Sequence, residues 1–239
     1  MSTFREIVSD FLALIYPDRC MICGAYVDRG VHSICMMCRY RIPLTGYCHR
    51  ADNPVKEYFD TLIPNVHCSS MLFFKTEAMW REAIHKFKYK GMWSIAYRLG
   101  RWYGSELKAS GLYDSVDMIV PVPLHWTRTI VRGYNQCHHI AQGMADEMGV
   151  KVNRRCLYRK RNNPSQTTQS SMQRWDNVDG IFAVRNPKRL HERHILIVDD
   201  VLTTGATLNS CAKAILEASP TTKISIATIA VAGRLARHL

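Results

Sequence analysis

Two adjacent carboxylates, Asp199 and Asp200, stand at the end of an apolar, β-branched run that begins at Ile195, and the small residues Thr203, Thr204, Gly205, Ala206 and Thr207 follow at once. Carboxylates at a strand tip can accept hydrogen bonds from vicinal hydroxyls. Backbone N–H groups and threonine hydroxyls at a helix start can hold phosphate oxygens. Gly205 lacks the Cβ that would obstruct a close backbone approach. The pattern suits a phosphorylated sugar, with Asp199 and Asp200 as candidate catalytic residues and 203–207 as the phosphate-binding turn. A second reading stays open: an Asp-Asp pair that holds Mg²⁺ in a phosphoacceptor or nucleotidase site, with the threonines acting only as helix caps.

These residues need a frame that presents strand ends on one side. The run 195–199 reads as a buried parallel strand and 206–218 as a helix; strand 118–122, helix 134–148 and strand 223–230 complete an α/β alternation. Weaker strand patterns lie near 152–158 and 181–184. Upstream, a short strand at 71–74 and helices at 77–89 and 93–108, parted by Gly91, precede the alternation. Ligands of open parallel sheets sit beyond the carboxyl ends of the strands, so the residues after Val122 and after Val198 matter most.

After Val122 come Pro123, Leu124 and His125, then Arg128 and Arg132, then Gly133, Tyr134, Asn135 and Gln136. The prolines stiffen the turn before any ligand arrives. Guanidinium groups can grip phosphate bidentately, which adds Pro123, Leu124, His125, Arg128 and Arg132 to the phosphate-binding set; a solvated basic face is the plainer alternative. The polar stretch 161–171, running on to Arg174 and Trp175, reads either as a surface loop or as a lid over the site, with Gln166, Thr167 and Arg174 as its candidate contacts.

Near the amino terminus, Cys20, Cys23, Cys35 and Cys38 form two C-x2-C pairs around an eleven-residue spacer. This is the spacing by which two knuckle turns offer four thiolates to one tetrahedral Zn²⁺. Gly24 stands where a knuckle needs positive φ. A closed four-thiolate site leaves no coordination position for water, so the zinc would be structural. Cys48 and Cys68, with His49 and His67 beside them, raise a second metal site as an open question. Cys137, Cys156 and Cys211 fit as small buried hydrophobes.

The chain has 239 residues, 47% apolar and 22% charged, with a formal net charge of +12. Such a length supports a main domain plus a small appendage: an N-terminal helix, zinc module and connector over 1–70, and the α/β domain over 71–239. No apolar run is long enough to span a membrane. The first sixteen residues are amphipathic but lack the parts of a secretion signal, which points to a reducing cytoplasm and leaves peripheral membrane association open. The positive surplus favours polyanionic partners.

The segment 195–207 resembles, at every position, the 5-phosphoribosyl-1-pyrophosphate (PRPP) motif of type I phosphoribosyltransferases. The resemblance implies that fold, a mostly parallel sheet flanked by helices. It also implies that Asp199 and Asp200 hold the ribose hydroxyls while 203–207 cradle the 5′-phosphate, with Mg²⁺ accompanying PRPP. Val122-Pro-Leu-His125, Arg132-Gly-Tyr-Asn-Gln136 and Phe182-Ala-Val-Arg185, ahead of that motif and behind a zinc module, are together similar to the ComF (competence protein F) family. That resemblance runs from Cys20 to Ala232. It implies a cytoplasmic role in DNA uptake and natural transformation, contact with incoming single-stranded DNA, and a competence helicase as partner. Turnover is a separate matter. One reading is a PRPP-binding, DNA-handling protein; the alternative is an active phosphoribosyltransferase whose acceptor, a nucleobase or an amine, no residue identifies.

Overall fold

A computed structural model describes residues 19–20, 22–27, 34–74, 93–124, 133–160 and 180–232. The N-terminal amphipathic stretch, the helix expected at 77–89, residues 125–132 with His125, Arg128 and Arg132, and the lid candidates Gln166, Thr167 and Arg174 lie outside the described residues.

The strands are β1 (Cys68–Phe73), β2 (Met118–Pro121), β3 (Lys151–Val152), β4 (Leu157–Arg159), β5 (Phe182–Val184), β6 (His194–Leu202) and β7 (Lys223–Val231). The described α-helices are α1 (Met36–Tyr40), α2 (Pro54–Asp60), α3 (Trp93–Ser110), α4 (Gln136–Met148) and α5 (Ala206–Ala218). Five strands form a parallel sheet in the order β1-β7-β6-β2-β3, while β4 and β5 pair antiparallel as a separate ribbon. The two weak strand patterns of the sequence are thus three short strands in two sheets.

Strand alternation sorts the core into two faces. In β6, Leu196 and Val198 join α3 and α4 residues such as Leu99, Tyr103, Ile140 and Met144. Ile195 and Ile197 point the other way, to Leu208, Cys211 and Ile215 of α5 and to Val55 and Phe59 of α2. Helices therefore cover both faces, as a near-continuous apolar strand requires. The helix pair α3 and α4 packs backbone to backbone. A Cβ on Gly104 would lie 2.7 Å from the Met144 Cα, and one on Gly143 or Gly100 would strike a carbonyl of the opposite helix. Glycine is what lets α4 seat firmly, and its first residues belong to the site.

The connector differs from expectation. Residues 41–64 lack hydrophobic periodicity, yet they hold a 3₁₀ turn at Tyr47–His49 and α2, which Asn53 caps by accepting from the Val55 and Lys56 N–H groups at 3.1 Å. Pro54 at the first helical position needs no donor there. β1 also starts earlier than its apolar pattern, because Cys68, Ser69 and Ser70 pair with Ile226, Ala227 and Thr228. The two serines satisfy their hydroxyls internally, Ser69 with Tyr103 and Tyr113 at 2.7 Å and Ser70 with Thr228.

Candidate functional site

The chain leaves β2 toward β3 through α4 and leaves β6 toward β7 through α5, in opposite directions across the sheet. The gap between the carboxyl ends of β2 and β6 is therefore the switch point where open α/β sheets bind ligands. β2 ends at Pro121, opposite Val198, and a last bond from the Val122 N–H to the Val198 carbonyl closes that side at 2.9 Å. On its other side β6 keeps pairing with β7, from Asp199 opposite Thr228 to Leu202 opposite Val231. Asp199 and Asp200 accordingly lie within a strand that outruns its neighbour, and not at a strand end as the sequence suggested. Pro123 and Leu124, half-buried, follow the shorter strand at the same level.

The start of α4 fills the space that β2 vacates. Buried Asn135 caps the helix: its Oδ1 accepts from the Cys137 N–H at 3.0 Å, and its Nδ2 donates to the Val122 carbonyl at 3.0 Å. Gln136 then donates through Nε2 to Asp200 Oδ2 at 2.9 Å. The Cys137 thiol donates to Asp199 Oδ1 at 3.3 Å, and the same oxygen accepts the Asp200 N–H at 2.8 Å. Asp200 is 7% exposed and Asp199 is half-buried. Both carboxylates are thus anchored to the start of α4, and the less buried Asp199 also lines the cleft. Gln136 Oε1 is buried without a partner among the described residues, an acceptor left at the base of the site.

The turn after β6 is a shallow cleft lined by Asp199, Val201 and Leu202 and by the whole run 203–208. Gly205 sits in the left-handed region at φ 72° as the N-cap of α5. The first N–H groups of a helix have no partner within it, so the turn offers donors to an anion. Behind it stands a residue that the sequence did not flag. The Tyr58 hydroxyl donates to the Thr204 carbonyl at 2.7 Å, and a Cβ on Gly205 would meet Tyr58 Cε1 at 2.8 Å. No sequence signal links Tyr58 to a turn 146 residues away, and the helix expected over 134–148 took in Asn135, which is its N-cap.

The four thiols of Cys20, Cys23, Cys35 and Cys38 all lie within 4.8 Å of one another, with Cys23 and Cys35 at 3.6 Å. A tetrahedral edge between thiolates bound at the usual zinc distance is about 3.8 Å. Gly24, at φ 77°, turns the first knuckle, and its N–H donates to the Cys20 carbonyl at 2.8 Å. Cys35 caps α1 and accepts from the Cys38 N–H at 3.4 Å. Burial works to raise the Cys20 thiol, but N–H groups of Cys23, Cys35 and Ile22 outweigh it and bring it down to about 7. Burial, then the neighbouring thiols, push Cys38 well up. One thiolate forms readily and a second is opposed by the first. Four can coexist only around a cation, so the set fits a single metal ion.

Cys48 and Cys68 do not share a site. They belong to cores on opposite faces of the sheet, and the Cys68 thiol donates to Asn65 Oδ1 at 3.4 Å. Cys137, Cys156 and Cys211 are buried, as expected of small hydrophobes, although Cys137 also serves Asp199.

A doubly covered parallel sheet, an Asp-Asp strand and a glycine-capped turn at the switch point define a phosphoribosyltransferase-type domain. Residues 134–238 match the family model described as the phosphoribosyl transferase domain. Among relatives, the chain is 25% identical over 212 residues to competence protein F of Haemophilus influenzae, covering 82% of this chain and 89% of that one. It is 25% identical over 227 residues to competence protein ComFC of Bacillus subtilis, covering 91% and 87%. With the DNA utilization protein YhgH of Salmonella typhi it shares 31% identity over 224 residues, covering 85% and 92%. The chain belongs to the ComF family. No helix among the described residues is long and apolar enough to cross a membrane.

Proposed function

We propose that this protein binds PRPP together with Mg²⁺ at the switch-point cleft and handles incoming single-stranded DNA in the cytoplasm during DNA uptake. The observation that carries the first part is the placement of the two carboxylates at the switch point. Gln136 holds Asp200 in place while Asp199 faces the cleft beside a glycine-capped turn. In this reading Asp199 and Asp200 hold the ribose hydroxyls, Thr203, Thr204, Gly205, Ala206 and Thr207 hold the 5′-phosphate, and Pro123 and Leu124 shape the opposite wall. His125, Arg128 and Arg132 would serve the pyrophosphate, with Gln166, Thr167 and Arg174 closing over it. Mg²⁺ would neutralise the pyrophosphate and polarise its bond to ribose. The four-cysteine cluster would hold structural zinc, within an N-terminal unit of 1–70 that precedes the phosphoribosyltransferase-like domain of 71–239.

The DNA part draws on the net charge of +12, on exposed Arg154, Arg155 and Lys160, and on relatives named for competence and DNA utilization. A competence helicase is the partner this role calls for. Calorimetric titration tests the proposal. PRPP with Mg²⁺ should bind the wild type and fail to bind an Asp199→Ala, Asp200→Ala variant whose fold is verified separately. A single-stranded oligonucleotide titrated in the same series should bind far more weakly as salt rises. Absence of PRPP binding to the wild type would remove the first part, and salt-independent DNA affinity the second.

A further inference from the structure

A cluster of metal-ligating side chains lies outside both sites described above. Cys48 and His49 end the 3₁₀ turn of the connector, and Glu106 faces them from α3. The Cys48 sulfur, a His49 ring nitrogen and a Glu106 carboxylate oxygen all lie within 4.8 Å of one another. His49 Nε2 and Glu106 Oε2 are 2.9 Å apart. The other Glu106 oxygen accepts from Trp102 Nε1 at 3.3 Å, which fixes the carboxylate toward the turn. Cys48 is 5% exposed and closes the inner side, while the His49 and Glu106 side chains are 43% and 39% exposed.

We infer that Cys48, His49 and Glu106 form a second metal site, suited to zinc, which clasps the connector to α3. Edges of a tetrahedron built from zinc–sulfur, zinc–nitrogen and zinc–oxygen bonds measure about 3.3–3.6 Å, so small side-chain rotations would bring the three donors into position. One thiolate and one carboxylate beside a neutral imidazole match a divalent charge in number, which removes the cost of burying the thiolate alone. Three protein donors with two of them exposed leave a fourth position open to solvent or to a ligand. This separates the site from the closed four-cysteine cluster. Neighbouring ligands on a tight turn and a third from a helix 57 residues onward would also tie two segments far apart in sequence. The inference is independent of the PRPP reading.

The test is metal content of the full chain after equilibration with excess zinc and gel filtration. The wild type should carry about two equivalents, and Glu106→Gln or Cys48→Ser about one. Glu106→Gln keeps the acceptor for Trp102 and stands on an accessible helix face, so it separates ligand loss from misfolding. Cys20→Ser should lower the content from the other site. About two equivalents in both the wild type and Glu106→Gln would overturn the inference, as would a single equivalent that Glu106→Gln retains. A single equivalent lost in Glu106→Gln but kept in Cys20→Ser would leave the clasp standing and remove the four-cysteine reading instead.

Discussion

The four-cysteine module and the switch-point cleft both gather polar groups around an expected ligand, by opposite means. In the module the ligand-holding atoms are side chains, brought together by two short turns, with Cys20 and Cys38 buried and Cys23 exposed. Buried Ile22 and Ile34 seat these turns on the core, and a metal ion would hold the four thiols together. In the cleft the frame is a five-stranded sheet, and the donors are backbone groups of a turn whose shape is set before any ligand arrives. A site made of side chains borrows its stability from the ligand, whereas one made of backbone borrows it from the fold.

Loss of a metal bound by the four cysteines should disturb the module far more than the cleft. Chelation, or Cys38→Ser, should abolish amide protection across 34–41, because binding free energy at a structural metal site is folding free energy. β6 should stay protected. Hydrogen exchange read by mass spectrometry checks both at once, and loss of protection in β6 together with the module would show that the two regions do not differ in this way.

At the other end, Gly205→Val attacks the preformed turn. A β-branched residue at φ 72° is strained, and its Cβ would push into Tyr58. The expected cost is about 2 kcal/mol of stability. PRPP affinity should fall by roughly tenfold or more as the turn relaxes, since tenfold corresponds to about 1.4 kcal/mol. Denaturant midpoints and calorimetry measure the two. A turn that tolerates valine with unchanged affinity would mean that its backbone geometry is not what binds.

The two regions were also unequally legible. Thiol spacing alone located the module, because each knuckle is local. The parallel sheet was legible from the apolar runs at 118, 195 and 223, and α5 matches its expected range. What the pattern missed was long-range pairing. β6 continues to Leu202 only because β7 keeps bonding to it, and that partner cannot be read from the residues of β6 themselves. Gln136 stood in view as part of a motif, but its hold on Asp200 depends on α4 seating against α3 through glycines far apart in sequence. Helix α2 carries its only strong signals at its N-cap Asn53 and its first position Pro54, and has too few turns for periodicity to register.

Tyr58 lies in the connector and touches the cleft from behind. Tyr58→Phe keeps the ring that packs edge-on against Phe59 and removes only the hydroxyl that donates to Thr204 at 2.7 Å. An intramolecular hydrogen bond contributes about 1 kcal/mol. If the fold sets the turn, that energy splits between stability and ligand affinity, and PRPP binding should weaken by roughly twofold to threefold. Thr204 and its neighbours should exchange faster in the free protein and regain protection when PRPP is bound. Equal affinity for both proteins, with the turn equally protected, would show that the sheet and α5 alone hold it and that the connector adds nothing to the site. The opposite result would make the connector a working part of the cleft, its Tyr58 hydroxyl tuning the turn that the Tyr58 and Phe59 rings back.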